Sequence, residues 1–247
     1  MLEFVQGAHS NHSVMECEAM EHQSVSNLLT VEIKEDITSR NNAQAEVLRQ
    51  AVKERKVFYL NLMSSPGSGK TTLLTKLIEK LKLSYRIGVI EADIDSDVDA
   101  KTIAGTGVKT IQMHTGGACH ITWQMSKEAL EALVLDDLDV VILENIGNLV
   151  CPAEFDTGAA MNLVLLSLPE GDDKPLKYPL MFEAATAVAV TKIDVAPVFD
   201  FSRERAVENI RRRNPSAPIF FTSGRTGAGI DELAAYLRKE IEKIKNA

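Results

Sequence analysis

Ser64-Ser65-Pro66-Gly67-Ser68-Gly69-Lys70-Thr71 stands between the apolar run Val57-Phe58-Tyr59-Leu60-Asn61-Leu62-Met63 and a stretch in which Leu73, Leu74, Leu77, Ile78 and Leu81 recur at helical spacing. A strand, a glycine-rich turn and an amphipathic helix in that order make a phosphate-binding loop. Gly67 and Gly69 let backbone N–H groups close around phosphate oxygens, the helix N-terminus adds a favourable dipole, and Lys70 supplies a positive charge. Thr71 is placed to put its hydroxyl on magnesium, while Pro66, Ser68 and Thr72 complete the loop around the nucleotide. Ser64 stands where the usual pattern has glycine. A plain Gly/Ser turn with an idle lysine would not need the strand before it or the helix after it.

The chain has 247 residues, enough for one α/β domain with a substantial core and a short appendage. Its formal net charge of −8 and its lack of a basic stripe interleaved with aromatics argue against nucleic acid as a partner. No apolar stretch reaches the ~18 residues that a membrane span needs, and no basic segment precedes an apolar core near residue 1, so a cytoplasmic protein with no membrane partner is expected. Cys17, Cys119 and Cys151 are three, an odd number, which disfavours a disulfide framework and leaves metal binding or burial.

Residues 1–28 are polar and aperiodic and read as a flexible tail. His9, His12, His22 and Cys17 fall there at spacings that match no closed metal site. Residues 29–55 read as a helical extension of one or two helices, carried by Ile33, Ile37, Val47, Leu48 and Val52, and residues 56–247 as the P-loop domain. Strands are expected at Arg86–Ile90, Val108–Gln112, Val140–Glu144, Leu163–Leu168, Ala187–Thr191 and Ile219–Thr222. Helices are expected near Asp97–Ile103, Ala118–Leu133, Phe201–Arg213 and Ile230–Lys245. This alternation predicts an α/β fold: a mostly parallel sheet with helices on both faces, of P-loop NTPase type, with a short N-terminal helical or disordered extension. Ligands then bind at the carboxyl ends of the strands.

Four segments gather along that edge. Glu144-Asn145-Ile146-Gly147 ends an apolar strand with a carboxylate that can hold a magnesium-bound water and a glycine whose N–H can approach a γ-phosphate. Asp93, after Glu91, is a candidate magnesium ligand, and one of Asp95, Asp97 or Asp99 can orient a water, though a solvated acidic loop explains those three equally well. Lys192 and Asp194, in Thr191-Lys192-Ile193-Asp194, favour GTP over ATP, because an aspartate accepts from two adjacent N–H groups that only guanine supplies and the lysine stem covers the base. Ser223 and Gly224 follow another strand and close over the base. GTPases commonly carry Asn where this chain has Thr191.

Gly116-Gly117-Ala118-Cys119-His120 and Gly147-Asn148-Leu149-Val150-Cys151-Pro152 bring thiols and an imidazole into the same chain. Cys119 and His120 are expected at a helix start, where a thiol pKa is lowered. Cys151 follows Gly147 by four residues, so a metal held there would feel movement of the γ-phosphate sensor. Buried structural cysteines and a core histidine explain the same residues, and the residues alone leave both readings open.

The strings SSPGSGKTTL at 64–73, EAD at 91–93, GGACH at 116–120, ENIGNLVCP at 144–152, PEGDDKPLKYP at 169–179 and TKID at 191–194 together resemble the HypB family, nickel-insertion GTPases of [NiFe]-hydrogenase maturation within the SIMIBI class of P-loop proteins. The resemblance covers roughly residues 45–247. It implies that Lys70, Asp93 and Glu144 serve GTP hydrolysis and that Thr71 and Asp93 hold Mg²⁺. It implies that Cys119, His120 and Cys151 bind nickel or zinc near a dimer interface, and that GTP favours a homodimer. Other hydrogenase maturation proteins and the hydrogenase large subunit are the implied partners. The alternatives are a P-loop small-molecule kinase, a passive nickel- or zinc-binding protein with a structural nucleotide, and the related urease nickel-insertion GTPase. The Cys-x-x-Cys-Gly-Cys or histidine-rich tract that begins some members is not found here.

Overall fold

The computed structural model describes residues 33–93 and 96–247, with side chains from Thr38 onward. The tail, with Cys17 and its histidines, and Asp95 lie outside the described residues.

The elements run α1 (Ile33–Glu54), β1 (Phe58–Ser64), α2 (Lys70–Leu81), β2 (Ile87–Asp93), α3 (Val98–Ala104), β3 (Lys109–His114), α4 (Trp123–Leu133), β4 (Val140–Gly147), α5 (Cys151–Glu154), β5 (Met161–Ser167), α6 (Lys174–Lys177), α7 (Pro179–Glu183), β6 (Ala187–Thr191), α8 (Arg203–Arg213), β7 (Ile219–Phe221) and α9 (Ile230–Lys245). The strands form one seven-stranded sheet in the order β3-β2-β4-β1-β5-β6-β7, and every pairing is parallel. Parallel strands buried on both faces are near-continuously apolar, as β1 and β4 are here. Phe58, Leu60 and Leu62 of β1 pack with α2 and α9 in one core layer. Tyr59 packs on the other face with Val52 of α1 and with Leu130 and Leu133 of α4. Met63 joins α7 and Ile210 of α8 further along that face.

The expected alternation is borne out, with shifted ends. β2 and β4 continue to Asp93 and Gly147, past the expected Ile90 and Glu144. The extension is one helix, and Val47, expected on its apolar side, is exposed. The helix expected from Ala118 begins instead at Trp123. Thr122 stops it by accepting from Met125 N at 3.4 Å, and Gly116 and Gly117, at φ 61° and 95°, keep the preceding chain in a turn.

β1 and β4 fall out of step near their carboxyl ends, where Leu62 pairs with Glu144 but Ser64 with Gly147. The extra residue is a bulge in β4. Asn145 Oδ1 accepts from Ile146 N at 2.8 Å, so the side chain satisfies an N–H within the bulge. Its amide donates to Asn61 Oδ1 at 3.0 Å, and Asn61 donates to Asn162 Oδ1 at 3.0 Å, which ties three central strands together under the site.

Leu237 of α9 is buried in the layer that includes Leu74 and Leu77 of α2. Leu237→Ala is expected to cost about 2–5 kcal/mol in urea unfolding. The side chain lies in the body of the core, so nucleotide affinity of the folded variant is expected to stay within about twofold of wild type, a difference of roughly 0.4 kcal/mol.

Candidate nucleotide and metal site

The phosphate loop closes on itself. Ser64, the residue in place of glycine, is fully buried, and its hydroxyl receives a hydrogen bond from Ser68 Oγ at 2.5 Å and donates to Ser65 O at 2.9 Å. Ser65 Oγ donates to Glu170, whose other oxygen accepts from Ser167 N at 2.9 Å and Ser167 Oγ at 2.5 Å. Glu170 thus pins the outer wall of the loop. Gly67 and Gly69 adopt φ 70° and 92°, which suits glycine, and a Cβ on Gly67 would meet nothing within 4 Å. The space above the loop is open for phosphate oxygens.

Beneath Lys70, three carboxylates converge. Glu91, Asp99 and Glu144 each offer an oxygen within 4.8 Å of the others, and Glu91 and Glu144 are both 2 % exposed. They face one another because Glu91 pairs with Glu144 across β2 and β4. Thr71 Oγ1 donates to Glu144 Oε1 at 2.8 Å, while Glu91 Oε2 and Glu144 Oε2 are buried with no hydrogen-bond partner. Two orphaned carboxylate oxygens beside the Thr71 hydroxyl suit a hard divalent cation, which takes oxygen ligands. Asp93 is on the same edge, but its Oδ1 accepts from Ser96 N at 2.8 Å and its carboxylate is not in this cluster. Glu91 was legible only as a charge inside the apolar run Ile87–Ala92. Burial lowers the Lys70 pKa, against the pull of the neighbouring carboxylates.

The base side is built by β6 and β7. Ser68, Gly69, Thr72, Leu73, Thr191, Lys192, Asp194, Val195, Gly224 and Arg225 line a cavity of about 210 Å³. Thr191 Oγ1 donates to Ser68 O at 2.7 Å and Lys192 Nζ to Gly67 O at 2.6 Å, so both tie the base loop to the phosphate loop. Thr191 therefore spends its hydroxyl on the loop. Ser223 Oγ donates to Asp194 Oδ1 at 2.6 Å and fixes that carboxylate at the cavity. Gly224 lies against α2, where a Cβ would sit 2.8 Å from Thr72 Cγ2.

The sulfur residues form a second cluster. Cys119 and Cys151 sulfurs are 2.9 Å apart, and His120 Nδ1 is 3.7 Å from Cys119 Sγ. Cys119 and His120 lie in the loop before α4, so the expected helix start, and the lowered thiol pKa it implied, do not hold there. The Cys151 thiol beside it pushes the Cys119 pKa up instead. Burial lowers the His120 pKa and favours its neutral form. Two thiols and a neutral imidazole are a soft donor set of the kind that zinc and nickel accept.

One segment joins the two clusters. Gly147 packs on the phosphate loop, where a Cβ would lie 2.9 Å from Pro66 Cα, and Asn148 N donates to Ser64 O at 2.9 Å. Asn148 Nδ2 donates to Cys119 O at 3.3 Å, and Cys151 begins α5 three residues later.

A family model for the CobW/HypB/UreG nucleotide-binding domain matches residues 58–221. The hydrogenase maturation factor HypB of Escherichia coli strain K12 is 43% identical over 210 residues, which span 85% of this chain and 72% of that protein. This chain belongs to the HypB family. The hydrogenase/urease maturation factor HypB of Helicobacter hepaticus is 40% identical over 227 residues, covering 90% of this chain and 93% of that protein. Among solved structures, HypB from Helicobacter pylori in complex with nickel superposes with a TM-score of 0.78 at 38% identity, over 83% of this chain and 96% of that one. HypB from Archaeoglobus fulgidus gives 0.76 at 32% identity, over 82% of this chain and 99% of that one. The GDP complex of the signal recognition particle receptor FtsY from Elizabethkingia anophelis, at 0.50 and 17% identity, shares the fold alone. The P-loop architecture expected from residues 64–71 is thereby shown.

Burial raises Glu91 and Glu144 from the ordinary 4.5 to about 7 each. Folded protein then binds more protons than unfolded chain between those values, so stability falls as pH rises through that window. Nucleotide-free protein is expected to lose thermal stability from about pH 5 to about pH 8, and Glu91→Gln to flatten that decline. Melting temperatures across the range check it; an unchanged slope in the variant contradicts the assignment.

Proposed function

We propose that this protein is a GTP-hydrolysing metallochaperone, converting GTP and water to GDP and phosphate and carrying nickel, or zinc, at Cys119, His120 and Cys151. The observation that carries the proposal is the run Gly147–Cys151, which touches the phosphate loop at one end and contributes a thiol to the sulfur cluster at the other.

In this reading the Gly67–Thr72 backbone and Lys70 cradle the phosphates, and Asp194 accepts from guanine while Ser223 and Gly224 close the base pocket. Mg²⁺, when bound, neutralises phosphate charge; Thr71 and Glu144 would hold it, with Glu91 and Asp93 on the same edge. Asp99, the exposed member of the cluster, orients the attacking water in this reading. Gly147 N–H senses the γ-phosphate, and loss of that contact shifts Asn148 and with it the separation of Cys119 and Cys151. Nickel accepts square-planar N/S ligation and zinc prefers a tetrahedron, so a change in donor geometry discriminates between them. Three donors leave coordination positions open, which a second copy of the chain supplies when GTP favours a homodimer.

The names of the relatives support hydrogenase maturation as the setting. In this reading other maturation proteins and the hydrogenase large subunit are the partners and the cytoplasm is the place. The Helicobacter relatives are named for urease as well, which favours urease as a second recipient.

Asp194→Asn is expected to weaken GTP binding by roughly a hundredfold, because two hydrogen bonds to a charged acceptor are lost, and to improve xanthosine triphosphate binding. Retained GTP preference would remove the guanine assignment. Calorimetric nickel titration of the GDP-bound and GTP-analogue-bound protein tests the gating. Different affinities that vanish in Cys151→Ala support a gated carrier, and equal affinities leave a passive metal-binding protein.

A further inference from the structure

His120 follows a turn that Thr115 and Ala118 close, with Ala118 N donating to Thr115 O at 3.2 Å and Thr115 Oγ1 to Ala118 O at 3.0 Å. Gly116 and Gly117 form the turn at positive φ, and a Cβ on either would meet nothing within 4 Å, so the turn itself offers the imidazole no packing. The imidazole is held from outside. Its ring stacks on Phe155, with centroids 3.8 Å apart and planes inclined by 18°. Stacking of two flat rings restricts rotation about the imidazole's side-chain torsions, leaving Nδ1 turned toward Cys119 Sγ.

Phe155 is in turn fixed by helix α1. In the next residue, Asp156, both carboxylate oxygens accept from the single nitrogen Arg49 Nη2 at 2.6 Å, and Arg49 Nε donates to Ala159 O at 2.7 Å. The buried Asn41 side chain bridges this loop and the start of α4: its Nδ2 donates to Asp156 O at 2.8 Å, and its Oδ1 accepts from Trp123 N at 3.1 Å. One amide thereby ties the residue after Phe155 to the third residue after His120. Gly158 lies so close to α1 that a Cβ would stand 3.0 Å from Ala45 O. Cys151 opens the short helix that Phe155 follows, so the thiol and the ring move as parts of one segment.

We propose that Phe155 is a positioning residue for the metal site, setting the plane of the His120 imidazole, and that Asn41 and Arg49 of α1 hold Phe155 in register with that loop. This rests on the reading of Cys119, His120 and Cys151 as metal ligands. Phe155 touches a ligand and not the metal, so its effect is on where the imidazole nitrogen points. Groups that orient a ligating histidine from behind act in the same way. The helical extension then belongs to the metal site as well as to the fold.

The test is titration of the full chain with nickel, and with cobalt as a visible-absorption probe, in wild type, Phe155→Leu, Phe155→Tyr and Cys119→Ser. Phe155→Leu keeps an apolar side chain but loses the flat ring, and nucleotide affinity and melting temperature report whether it still folds. The expected result is nickel affinity reduced roughly tenfold and a changed cobalt ligand-field spectrum in Phe155→Leu, with Phe155→Tyr within about twofold of wild type in affinity and matching its spectrum. Wild-type affinity and spectrum in Phe155→Leu overturn the proposal. So does a uniform loss in both Phe155 variants with an unaltered cobalt spectrum, which marks a role in folding alone. Wild-type nickel binding that Cys119→Ser leaves intact is a different failure, since it removes the metal-ligand reading itself and this inference with it.

Discussion

The contact between Gly147 and Pro66 is the constraint on which the rest depends. At this approach any side chain at position 147 would press into the phosphate loop, so the end of β4 and the loop share one surface. The β4 bulge makes the approach possible by letting Gly147 pair with Ser64 after Glu144 has paired with Leu62. Asn145 satisfies the N–H of Ile146 within that bulge and passes the restraint to Asn61 and Asn162. Buried amides without partners are costly, so this chain of hydrogen bonds favours one register over its neighbours. Asn148, held by Ser64 O on one side and reaching Cys119 O on the other, is the contact through which a shift of the phosphate loop would reach the sulfur cluster.

The same edge stores electrostatic cost. Glu91 and Glu144 are buried side by side; Thr71 donates to Glu144 Oε1, while one oxygen of each carboxylate is left without a hydrogen-bond partner. An arrangement that holds two carboxyl groups near neutrality is poorly suited to stability and well suited to binding a cation. The Cys119–Cys151 pair lies beyond the Gly147 segment, with Cys119 exposed and Cys151 half-buried, and its sulfurs suit a softer metal. Hard and soft donors are thus separated by six residues of chain, from Glu144 to Cys151 by way of Gly147, and differ in the ion they suit.

Much of this was legible from residue order. The strand-loop-helix at 57–81 needed only apolar periodicity and two glycines, and α9 begins and ends where its pattern does. Asp194 was legible as a candidate because it follows an apolar strand downstream of the phosphate loop, and it lines the cavity beside that loop. What residue order did not show depends on neighbours distant in sequence. Glu91 acquires meaning from its register partner Glu144, and Phe155 from His120, thirty-five positions before it. The helix expected from Ala118 failed because Thr122 is a stronger cap than the glycines before it. Thr191 departs from the common asparagine, yet its hydroxyl reaches Ser68 O and ties the base loop to the phosphate loop.

The most direct measurement is the ratio of nickel affinities with a GTP analogue and with GDP, compared between wild type and Asn148→Ala. Coupling between two sites is reciprocal and is lost when the element joining them is cut. The predicted result is a ratio that differs from one in wild type and collapses to one in Asn148→Ala, with nucleotide affinity retained. A ratio unchanged by Asn148→Ala would contradict transmission through this segment.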